Sequence, residues 1–161
     1  MNPYNLTKGA LCVLVIFSFF AITARVAFAV NYEVELAVPK GKKSVETDAV
    51  LAFNEKSFSV TPDKEKFKSD AKTFNYADLK TADYSYAKKP MLSGGGAVAT
   101  AILLGLFVLP FLFIKKKKHW MTVQTAEQFA VIKLGDNNFR QIVAEFETHG
   151  VKVNTVVEEK K

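Results

Sequence analysis

The sequence predicts a membrane protein with a single transmembrane helix, a small mainly-β external segment and a small cytoplasmic β-α-β unit. Three observations carry that expectation. Two apolar runs, Ala10–Ala24 and Ala97–Ile114, interrupt an otherwise polar chain of 161 residues. A lysine run, Lys115–Lys118, closes the second of them. The remaining segments are short and alternate with a period of two, apart from a single stretch with helical spacing.

Residues 1–29 have the layout of a cleavable signal peptide. Lys8 supplies the basic start, Ala10–Ala24 the apolar centre, and Ala27 and Ala29 the small residues that fit a signal peptidase. Cleavage is expected before Val30. Arg25 sits inside the stretch that an uncleaved span would need, which favours removal over retention.

Residues 30–92 form the external segment. In Asn31–Val38 the side chains of Tyr32, Val34, Leu36 and Val38 share one face, opposite Glu33 and Glu35. Pro39-Lys40-Gly41-Lys42-Lys43 then turns the chain. Val50–Phe53 and Ser57–Val60 predict a hairpin around Asn54-Glu55-Lys56, and Asp63–Ser69 a charged helical turn. Phe74 with Tyr76, and Tyr84 with Tyr86, each place two aromatics on one strand face. Lysines and acidic residues nearly balance here, which argues against phosphate-driven nucleic-acid binding. Copper would need imidazole or thiolate ligands, and the segment has neither His nor Cys.

Residues 93–114 are the expected transmembrane helix. At ~1.5 Å rise per residue, Ala97–Ile114 with its flanks covers roughly the 30 Å of a hydrocarbon core. Lys115, Lys116, Lys117 and Lys118 act as a membrane-surface anchor and Trp120 as an interfacial aromatic, so the positive-inside rule places the C-terminus in the cytoplasm. Ser93, Ala97, Ala101 and Gly105 recur along one helical stripe, a groove suited to packing against another span. Pro110 bends the last turn.

Residues 115–161 make the cytoplasmic tail. Phe129–Ile132 reads as a strand entered through a turn capped by Thr125 with Gln128. Phe139, Ile142, Val143 and Phe146 follow the i, i+3, i+4, i+7 pattern of an amphipathic helix, which Gly150 stops. Val151, Val153, Val156 and Val157 give a second strand, expected to run parallel to the first by a right-handed crossover. So small a unit needs a neighbour or a second copy to cover its sheet.

Composition narrows the function. One Cys excludes a disulfide framework, and His119 and His149 are too few for a His-based metal centre. Glu145 and Glu147 point to different helix sides, and no nucleophile, base and orienting group come together. No catalytic, cofactor or metal residues are therefore assigned. The net charge of +6 comes mostly from the signal and the lysine stop. The layout resembles that of small single-span accessory subunits of bacterial or thylakoid membrane complexes, a likeness of architecture without a specific motif.

The function expected from the sequence is a non-enzymatic type I membrane protein that assembles or stabilises a membrane complex. Its partners would be the lipid bilayer and other membrane subunits, or a second copy met through the span, but not nucleic acid. The alternative is a membrane-tethered sensor whose external segment binds a ligand or envelope component. Either would sit in a bacterial inner membrane or a thylakoid-type membrane, with residues 30–92 in the periplasm or lumen.

Overall fold

The computed structural model describes residues 29–40, 43–93 and 116–157. Its strands are β1 (Val30–Lys40), β2 (Lys43–Phe53), β3 (Ser57–Pro62), β4 (Lys72–Asn75), β5 (Thr81–Ala87), β6 (Lys118–Gln124), β7 (Phe129–Leu134) and β8 (Val153–Val156). Among the described residues one α-helix, α1 (Phe139–Thr148), lies between β7 and β8, and 3-10 turns cover Glu65–Asp70 and Tyr76–Asp78. All the described strands belong to one 8-stranded sheet in the order β4-β3-β2-β1-β7-β6-β5-β8.

The alternation in the sequence explains the two faces. Val34, Leu36 and Val38 on β1, Leu51 and Phe53 on β2, and Met121 and Val123 on β6 all point inward into one core. The sheet curls around that core. Lys72 Nζ donates to the Phe129 carbonyl at 2.6 Å and Gln128 Nε2 to the Thr73 carbonyl at 2.7 Å, drawing edge strand β4 onto the β6–β7 turn. Helix α1 closes the core by burying Ile142 and Phe146. The Phe146 ring stands edge-on to Phe53 and to Phe58, 4.9 Å from each. Gly150 ends this element at φ 78°, a left-handed conformation that glycine adopts without a Cβ clash.

The register overturns the expected single-pass architecture. β5 pairs antiparallel with β6 from Thr81↔Gln124 to Ala87↔Lys118, and β1 pairs with β7 at Glu35↔Lys133 and Leu36↔Ile132. Residues expected outside and inside a membrane are thus hydrogen-bonded neighbours in one sheet. Paired strands lie about 4.8 Å apart, whereas a hydrocarbon core is about 30 Å thick. No bilayer can separate the two halves. Among the described residues, no helix is long and apolar enough to cross a membrane. The type I accessory role and the sensor relaying across a membrane both required that separation, and both fall with it.

The β-α-β tail also needs correction. β7, α1 and β8 form where the periodicity places them, but β8 pairs parallel with β5 and not with β7. β7 and β8 run in the same direction with β6 and β5 between them. The neighbour that covers this unit is the chain's own first half.

Candidate functional site

The chemistry-bearing side chains gather where β5, β6 and the start of α1 meet. On the outer face, Asp83 is buried at 1% exposure. It accepts hydrogen bonds from the Ser93 backbone N–H at 3.2 Å, from the Ser93 hydroxyl and from Asn154 Nδ2 at 3.1 Å. Beside it, Ser85 Oγ accepts the Met91 N–H at 3.3 Å. The chain after β5 therefore folds back over its own strand. Leu92 packs there with Phe129 on the buried cluster of Ala37, Trp120 and Val131.

On the inner face, His119 joins a group of rings. Its Nδ1 lies 2.7 Å from the Tyr84 hydroxyl, and its ring stacks on Phe139 at 3.8 Å between centroids. Tyr86 leans on it at 4.6 Å, and Nε2 stands 3.8 Å from Asp136 Oδ1. Tyr84 and Nδ1 share one hydrogen bond, whose donor is set by the tautomer of the imidazole, and Nε2 lies on the Asp136 side of the ring. Burial lowers the His119 pKa, against the opposing pull of Asp136, so the neutral form prevails near pH 7. At 3.8 Å Asp136 is beyond hydrogen-bond reach of Nε2, so Tyr84 and Asp136 are not joined by a continuous proton path. The His119 ring surfaces are occupied by aromatic neighbours.

An open groove of about 520 Å³ lies beside this group, between β1 and the end of β7. Glu33, Asp48, Asp63 and Asp136 line it together with Lys118 and the Lys133 pair. Lys133 Nζ donates to Glu35 at 2.8 Å and to Glu46 at 2.6 Å. Burial alone would lower its pKa, but the two carboxylates outweigh burial and raise it. The groove's central cation is thus committed to internal partners. At the far end of α1, His149 stacks on Tyr76 at 4.4 Å and reaches Glu145 at 3.4 Å. Burial, then the Glu145 charge, push the Tyr76 hydroxyl up to about 12 against its hydrogen bond to the Asn54 carbonyl. It stays a donor at any ordinary pH. Among the described residues, no group of three or more His, Cys, Asp or Glu is arranged to hold a metal ion.

The residues singled out by sequence have separate fates in the fold. Trp120, expected at a membrane interface, is fully buried, and its Nε1–H donates to the Ala87 carbonyl at 3.1 Å. Lys118 opens β6, with Lys116 and Lys117 exposed just before it. Ser93, expected on a helix-packing stripe, is bound to Asp83. Ala97, Ala101, Gly105, Lys115 and Ala27 lie outside the described residues; Ala29 is described and exposed, directly before β1. Sequence reasoning missed Asp83 and the contact of Tyr84 with His119. A carboxylate inside a strand of small and aromatic residues, Thr81–Ala87, was the available signal for the first. The second depends on β5–β6 pairing, for which no local signal exists.

No family model matches the chain, and no curated protein does. Among solved structures it is similar to the hSac2 domain from the human phosphoinositide phosphatase Sac2, with 8% sequence identity and a TM-score of 0.51. That match covers 96% of this chain and 91% of the other. It is also similar to the C-terminal domain of an unknown protein from Leishmania infantum, with 8% identity and a TM-score of 0.45, over 88% of this chain and 99% of that one. The first of these likenesses shows the fold alone.

Proposed function

We propose that this chain is a non-enzymatic β domain anchored to one side of a lipid bilayer. The observation that carries the reading is the pairing of β5 with β6 across the uncharged run Ala97–Ile114. Ser93 is tied to Asp83, and Lys118 pairs with Ala87, four residues further along the same strand. At ~3.3 Å per residue these two points are about 13 Å apart. Chain that leaves and returns so close together stays on one side of a membrane. An uncharged run of that length is strongly favoured in lipid over water. Anchored in this way, the domain meets its binding partners at the bilayer face. The internal commitment of Asp83, His119 and Lys133 supports a binding role over a catalytic one.

The test uses the full chain in sealed membrane vesicles, with Cys12→Ser as background. Glu55→Cys reports on the first half of the sheet and Lys152→Cys on the second, both at exposed positions. A membrane-impermeant thiol reagent is expected to label both from the same side. Labelling of one of them only after the vesicles are permeabilised would refute the one-sided anchor.

A further inference from the structure

We propose that the corner of the sheet where β5 ends and β6 begins is a docking face for anionic lipid headgroups. Tyr86 is the side chain that reaches the interface. The proposal rests on the one-sided anchor above and names the lipid chemistry that it meets.

Four lysines carry the argument. Lys88 and Lys89 come directly after β5, Lys116 and Lys117 precede β6, and all are exposed. The Ala87↔Lys118 pairing brings the two groups to neighbouring strand ends. They are far apart in sequence and converge only because the sheet forms. Each contributes a point charge on a flexible apolar stem, which suits a phosphate-rich layer over a deep pocket. Tyr86 belongs to the same corner and is 52% exposed, one of few large apolar side chains so placed. An aromatic ring with a polar tip is the side chain found at headgroup depth. Sequence alone points to Trp120 for that role, and the fold buries it.

The choice of occupant rests on continuity. The two lysine groups flank in sequence the uncharged run Ala97–Ile114, so chain entering lipid would leave from Ser93, held on Asp83 about 13 Å along the strand, and return to the sheet at this corner. A nucleic acid or an acidic protein would match the charge but leave that run unexplained. The basic surface ends at Lys118, where Glu33 and Asp136 line the neighbouring groove. Those acidic residues would be repelled by an anionic layer, so the β5 side of the corner must face the lipid.

The experiment places a polarity-sensitive fluorophore on Tyr86→Cys in the full Cys12→Ser chain. The protein is reconstituted into vesicles of phosphatidylcholine alone, or of phosphatidylcholine with phosphatidylserine. Emission should shift to the blue in the anionic vesicles and return toward the value in water at high salt. Changing Lys88, Lys89, Lys116 and Lys117 to Gln should abolish the shift, the bound population falling roughly fivefold per lysine. A fluorophore on Lys152→Cys should report water throughout. Equal shifts in neutral and anionic vesicles would overturn the headgroup proposal. So would an absent shift in chain that still floats with the vesicles, and that result would leave the one-sided anchor standing. Chain that floats with neither vesicle would overturn both.

Discussion

Single residues in this protein are held by specific polar contacts, and His119 has the clearest measurable consequence. Its burial depresses the pKa below the ordinary ~6.5 of the unfolded chain. The unfolded state therefore binds a proton more readily than the folded one. The resulting contribution to stability is complete above about pH 6.5 and is lost as pH falls through the lowered folded value. The fall in thermal midpoint between pH 7 and pH 5 should be smaller in His119→Phe than in the parent. Equal falls in both would contradict this account of His119. The residue shows what sequence could not supply. His119 and Tyr84 lie 35 positions apart and meet only through the β5–β6 register. Asp83 is similar: its partners, Ser93 and Asn154, lie 10 and 71 positions further along the chain.

Elements are far more legible than their partners. The alternation of Tyr32, Val34, Leu36 and Val38 marks β1, and the chain does turn at Asn54, whose N–H donates to the Ser57 carbonyl at 2.8 Å. The spacing of Phe139, Ile142, Val143 and Phe146 marks α1. Thr125 behaves as expected for a turn cap, its Oγ1 accepting the N–H groups of Glu127 and Gln128 at 3.3 and 3.1 Å. These signals survive because side-chain periodicity is local. Pairing is not local, so the periodicity that marks β8 suggests β7 as its neighbour, when its partner is β5. Phe74 and Tyr76 likewise fall in a strand and in the next 3-10 turn, not on one strand face. The helix in particular belongs to the whole core and not to a separate tail. Phe146 is fully buried between rings of β2 and β3, so Phe146→Ala should cost about 3–5 kcal/mol. Urea unfolding measures this. A loss under about 1 kcal/mol would mean that α1 does not plug the sheet.

At the scale of the whole molecule, one apolar run misdirects the topology. Ala97–Ile114 has the length of a span and ends in lysines, and a span normally puts its two flanking segments on opposite sides of a membrane. The strands on either side instead complete each other. Cut between them, the sheet would leave β1 and β5 as open edges and Trp120 uncovered. The energetic reason is burial. Val34, Leu36, Met121 and Ile132 are drawn from both halves and share one core that neither half could form alone. The most direct measurement is a crosslink across the central seam, made in membranes. In the Cys12→Ser chain, Glu35→Cys and Lys133→Cys stand opposite each other on β1 and β7, at a spacing that a disulfide can bridge. Mild oxidation should give an intramolecular disulfide, seen as a faster-migrating band that reduction removes. No such band, with each cysteine reactive only from its own side of the membrane, would contradict the single-sheet account.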